Sequence, residues 1–131
     1  MAEALPQRWA HVEKVAERAG VLACAVGAGD GEVLHPAAWL HDVGYAPDLA
    51  VTGFHPLDGA RFLTKEGYVR LAGLVAFHSA AAAEAKCLGL GDELASFEDE
   101  RSLVRDLLWF ADMTVGQPRR YELRSPRGNR T

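Results

Sequence analysis

The stretch Ala37-Ala38-Trp39-Leu40-His41-Asp42-Val43-Gly44 decides how this chain reads. Four helix-compatible, mostly apolar residues run into a His-Asp pair, and a glycine stops the run two residues later. An aspartate at the end of an apolar helix is costly to bury unless it is paired or holds a cation. Upstream, Val12, Val15, Ala16, Ala19, Leu22 and Ala23 recur at helical spacing, which predicts a helix from about Leu5 to Val26. Gly27-Ala-Gly-Asp-Gly31 then reads as a loop, followed by a second helix over about Val33 to Val43 with Pro36 in or near its first turn. Downstream, the pattern predicts helices over His55–Lys65, Val69–His78, Ala80–Leu88 (a continuation or a new start), Asp92–Phe97 and Arg101–Val115. Alternating strand patterns are nearly absent, and the run Gly73–Phe77 fits a buried helix better. The expected fold is all-α, a single bundle-like domain of five to seven helices.

With 131 residues the chain has the length of one domain, and 49% hydrophobic against 24% charged residues argues for a packed core rather than disorder. The net charge of -4 is uneven: residues 117–131 carry five arginines against Glu122, a local +4 that leaves -8 on the rest. The domain is therefore expected over residues 1–116, and 117–131 as a basic, flexible tail. An acidic body argues against a broad nucleic-acid face, which would need clustered Lys and Arg. Cys24 and Cys87 form neither a disulfide framework nor a zinc motif. No apolar run approaches the ~18 residues that span a bilayer, and Met1–Trp9 lacks the pattern of a secretion signal, so the expected location is cytoplasmic, with no membrane partner.

His11 and Asp112 share the predicament of the His41-Asp42 pair. His11 lies on the face of the first helix that packs, followed by Val15 and Leu22, and Asp112 ends the apolar run Leu108-Trp-Phe-Ala-Asp112. Two aspartates and two histidines facing one another inside a bundle satisfy each other if a divalent cation lies between them. Imidazole and carboxylate suit manganese, iron, zinc, cobalt or nickel, and a carboxylate can bridge two ions. His35, beside Pro36, reads as a cap or surface residue. Trp9, Trp39, Phe77, Trp109 and Phe110 read as core.

The order His11, His41-Asp42, Asp112 resembles the HD-domain superfamily of metal-dependent phosphohydrolases. The wording of Arg8-Trp-Ala-His11-Val-Glu-Lys-Val-Ala and of Ala38-Trp-Leu-His-Asp-Val-Gly44 matches its first two motifs. His55-Pro-Leu-Asp-Gly-Ala60 and Phe77-His78 fall where many members carry further histidines. The resemblance implies a helical core around a central metal site with His11, His41, Asp42 and Asp112 as ligands. It also implies that His55 and His78 complete a second site or contact a phosphate. Tyr45 stands where many members have a lysine, and a GYP-type extension after His78 is missing.

Three readings follow. The first is hydrolysis of a nucleotide or other small phosphoester by metal-activated water, using one or two divalent ions. In it Asp42, His78 and Asp58 serve as catalytic groups, and Arg8, Arg18 and Tyr45 as substrate contacts. The second is an HD-fold di-iron oxygenase cleaving a C–C or C–P bond with the same ligands. The third is a regulatory module that binds metal or ligand without turnover.

Overall fold

In a computed structural model describing residues 5–115, the first helix, α1 (Leu5–Leu22), forms because its apolar positions fall on one stripe. His11, Val12, Val15, Ala16 and Ala19 are buried, while Glu13, Lys14, Glu17 and Arg18 face water. A single 3-10 turn over Ala23–Ala25 follows. The second helix, α2, spans Ala28–Leu40 and so begins inside the segment expected to be a loop, with Gly27 in extended conformation before it. Glycine is tolerated there because the helix start passes close to the preceding turn. A Cβ on Gly31 would sit 3.0 Å from the carbonyl oxygen of Ala23. Pro36 is consequently inside α2 rather than in its first turn.

Two more 3-10 turns, Val43–Tyr45 and Pro47–Leu49, lead to α3 (His55–Lys65) and α4 (Val69–Ala76). Then come the short α5 (Ala81–Cys87) and α6 (Gly91–Leu94), and finally α7 (Leu103–Val115). The last helix starts later than expected, since Arg101 has φ of 48° and Ser102 caps the helix by accepting the Arg105 amide at 3.2 Å. Among the described residues there are seven α-helices and no strand, as an all-α reading requires. The tail at 117–131 lies outside them. No described helix is long and apolar enough to cross a membrane.

The core has two parts. Val15, Ala19, Leu34, Val104 and Leu108 join α1, α2 and α7, while Leu57, Leu63, Val75 and Leu94 join α3, α4 and α6. Helix α4 links the two, placing Leu74 in the first and Val75 in the second. Half of the buried residues in the first part are alanines (16, 19, 37, 38 and 111), and none is a tryptophan. Phe77 is buried as expected and Trp109 partly so, but Trp9 (57% exposed), Trp39 (39%) and Phe110 (51%) are not core residues. His35 is exposed, though it sits in the middle of α2 rather than at a cap.

Candidate metal centre

Between the two halves of the core, the chain assembles His11, His41, Asp42, His55, His78 and Asp112 from five helices. His11 comes from the buried face of α1, His41 and Asp42 from the end of α2, His55 from the first turn of α3, His78 from just after α4, and Asp112 from α7. Helix α2 ends at Leu40, earlier than expected, and Gly44 lies in the Val43–Tyr45 turn that follows rather than stopping the helix. A Cβ on Gly44 would lie 2.1 Å from the His55 carbonyl oxygen and 2.8 Å from the Gly59 nitrogen. Backbone meets backbone here, which brings Asp42 and His55 together.

Asp42 divides its two oxygens between two sets of histidines. Its Oδ2 is 3.5 Å from His41 Nε2 and 4.0 Å from His11 Nε2. Its Oδ1 is 3.2 Å from His55 Nε2 and 3.8 Å from His78 Nε2. Asp112 Oδ1 is 2.8 Å from His11 Nε2 and 3.3 Å from His41 Nε2. The same device orients two of the imidazoles. The Nδ1–H of His41 donates to the Ala38 carbonyl at 2.6 Å, and that of His78 to the Val75 carbonyl, also at 2.6 Å. A carbonyl cannot donate, so Nδ1 carries a proton in both rings and both Nε2 atoms face the cluster. Both acceptors are carbonyls in the last turn of a helix.

Burial opposes the charge on both carboxylates, but their histidine neighbours prevail: His55, His41 and His78 hold Asp42 well below its ordinary range, as His11 and His41 do Asp112. Burial likewise works against protonation of His41, yet Asp112 and Asp42 raise it above its ordinary value. Burial, with His41 and His55 nearby, pushes His78 down to about 4. The cluster thus holds ionised carboxylates and a neutral His78 at neutral pH, the states that bind a cation.

Hydrogen bonding within the protein leaves the cluster incompletely satisfied. His41 Nε2 and Asp42 Oδ1 are buried and make no well-aligned hydrogen bond, although neighbouring donor and acceptor atoms lie within 3.2–3.8 Å. Buried polar atoms that converge without pairing are what a metal site presents. Two groups have atoms close enough to share an ion: His11, His41 and Asp42, and Asp42, His55 and His78, with Asp42 in both. Nitrogen and carboxylate donors suit a first-row divalent metal, so the residues fit the group that the sequence implies.

A cation bound through His41 must displace its proton. Metal affinity is therefore expected to rise with pH, by up to about tenfold per unit for each proton displaced, and to level off above the raised His41 value. Calorimetric titration between about pH 6 and 8 reads this directly. A flat affinity across that window would contradict it.

The other expected site residues separate into two pairs. Arg8 lies 3.5 Å from Asp42 Oδ2, with its guanidinium 4.2 Å from the Tyr45 ring centroid, and Tyr45 stacks on His55 with centroids 4.1 Å apart. Both therefore flank the cluster. Arg18 does not: it is exposed and donates to Thr114 Oγ1 at 3.2 Å, in a separate groove between α1 and α7. Asp58 is buried, but its oxygens accept the amides of Val51, Thr52 and Gly53 and the Thr52 hydroxyl. That makes it the anchor of the loop before α3, with no lone pair to spare for proton transfer.

Ser79 had not been expected at the site. Its hydroxyl donates to Asp112 Oδ2 at 2.6 Å, steering Oδ1 toward His11 and His41. To do so it takes φ of 55°, a left-handed conformation that serine adopts at a cost. Ser79→Gly and Ser79→Ala should both weaken metal binding by about tenfold to a hundredfold. The glycine variant should be the more stable of the two by about 1 kcal/mol, because it alone relieves the backbone. Equal melting temperatures, or unchanged metal affinity, would refute this account of Ser79.

Comparison with known proteins agrees with the geometry. Neither the curated proteins nor the solved structures contain a match. The family model for the HD domain matches residues 8–111, a span that runs from Arg8 in α1 nearly to Asp112 in α7 and takes in most of the cluster. With that span matched and the His/Asp cluster at its centre, the chain belongs to the HD-domain family.

Proposed function

We propose that the protein is a metal-dependent phosphohydrolase acting on a small phosphoester. The observation that carries the reading is the division of Asp42 between two histidine sets, His11 with His41 and His55 with His78. His11, His41, Asp42 and Asp112 would hold one divalent ion, and Asp42, His55 and His78 a second. Such ions supply Lewis acidity, acidify water toward neutral pH and neutralise phosphate charge.

The chain's own residues do the rest. Arg8, beside Asp42, offers a fork of N–H donors to a phosphate oxygen. Tyr45 keeps its phenol proton, since burial pushes its pKa up, and its ring holds Arg8 and His55 in register. In the reaction, water's oxygen bonds to phosphorus while the bond to the ester oxygen breaks with its electron pair. One water proton ends on the released alcohol and the other on phosphate.

The test is a phosphoester screen on protein stripped with chelator and reloaded with manganese, zinc, cobalt, nickel or iron. Metal-dependent release of phosphate supports the reading. Absence of phosphate release with every metal, together with oxygen uptake by the iron-loaded protein, would favour an oxygenase using the same ligands.

A further inference from the structure

Next to the cluster opens a cleft of about 530 Å³, a size suited to a small molecule. Arg8 and Asp42 line it where it meets the cluster. Beyond them the wall is carbon: the rings of Trp9, Trp39 and Tyr45, then Leu40, Val43 and Pro47. Two tryptophans left exposed on a wall this apolar need an occupant more than a stray surface residue does. Their centroids are 5.5 Å apart with planes tilted by 38°, so the rings already touch. A guest can lie across their faces and edges but cannot slip between them.

Charge narrows the guest further. Among the described residues lining this cleft Arg8 is the one cation, and it lies 3.5 Å from Asp42. One guanidinium beside a metal site suits a single phosphate group. A chain of phosphates running along the cleft would meet indole and aliphatic carbon, where charge is costly to desolvate. Tyr45, stacked on His55, adds a ring to the lining rather than a second positive charge.

We propose that this cleft receives the ester group of the substrate, and that the preferred substrate is a phosphate monoester of an uncharged planar or apolar group (an aryl or alkyl phosphate) rather than a nucleoside polyphosphate. The proposal rests on the phosphohydrolase reading for its reaction, but the cleft's selectivity can be measured without turnover. Arg8 and the metal take the phosphate, and Trp9 and Trp39 take the group that leaves with the ester oxygen.

Calorimetric titration of the manganese-loaded chain with methylphosphonate and phenylphosphonate tests it. Both probes resist hydrolysis and carry the same anionic head. Phenylphosphonate is expected to bind at least about tenfold more tightly, from the apolar area it covers. Trp39→Ala should remove most of that advantage and leave methylphosphonate binding unchanged, which also reports that the variant is folded. Equal affinities in the native chain, or a phenyl preference indifferent to Trp39→Ala and Trp9→Ala, would overturn the proposal. So would a concentration-dependent dimer abolished by Trp39→Ala, which would give this face to a second copy. A phenyl preference without turnover of phenyl phosphate would uphold the cleft and overturn the hydrolysis. Turnover without the preference would do the reverse.

Discussion

Asp42→Asn is expected to lose metal and to lower phosphoester turnover by about a thousandfold or more. The size of the effect follows from the position of the side chain. Its Oδ2 faces His11 and His41, and its Oδ1 faces His55 and His78, so one substitution removes a charged ligand from both groups at once. Asparagine keeps the shape but offers one neutral oxygen in place of two charged ones. No other residue of the cluster belongs to both groups, so alanine at His55 or His78 should be milder for binding at the group of His11 and His41. Phosphate release at native rates by a folded Asp42→Asn protein would contradict the mechanism. Far-UV circular dichroism of the variant checks the fold.

Gly44→Ala should be the most damaging glycine-to-alanine change among the described residues. The added carbon would overlap the His55 carbonyl oxygen at 2.1 Å, and backbone cannot swing aside as a flexible side chain does. Overpacking of this kind costs on the order of 3 kcal/mol or more when the neighbour cannot yield. Relief requires the Val43–Tyr45 turn to part from α3, which also separates Asp42 from His55. Reduced thermal stability and loss of metal binding are thus expected together, read by melting curves with and without metal. Native stability in the alanine variant would mean that this close approach is not what seats His55. Gly59 gives an internal comparison, because a Cβ there would meet Val43 Cγ1 at 3.1 Å and the Gly44 nitrogen at 3.2 Å, a looser fit. Its alanine variant should be the less affected.

The cluster was legible because burial makes polar residues conspicuous in apolar runs. His41-Asp42 and Asp112 could be singled out from their neighbours and His11 from its helix face, whereas His55 and His78 entered only through the resemblance to the HD-domain superfamily. Periodicity was equally effective for α1, α3, α4 and α7. It failed at Gly27–Gly31, where α2 begins at Ala28 and only Gly31 marks a close approach, to the Ala23 carbonyl.

Directions of long side chains were harder to read. Arg18 is two turns from His11 on nearly the same face, but two turns are about 10 Å along the axis, and its guanidinium reaches Thr114 instead. Asp58, at i+3 from His55, was claimed by the loop amides before it, a pairing that depends on how residues 51–53 fold back. The exposure of Trp9 and Trp39 depends on how α1 and α2 pack, which shows only when both helices are in place. Nothing in the sequence marks Ser79, whose role arises from a left-handed backbone angle and a partner thirty-three residues away.

The most direct test of the account is metal content per chain, by elemental analysis and calorimetric titration, for the native protein, His55→Ala and Asp42→Asn. Two equivalents of a divalent ion in the native chain, one in His55→Ala and none in Asp42→Asn are predicted. No metal in the native protein after exposure to each candidate ion, or the same content in Asp42→Asn as in the native chain, would contradict the shared role of Asp42.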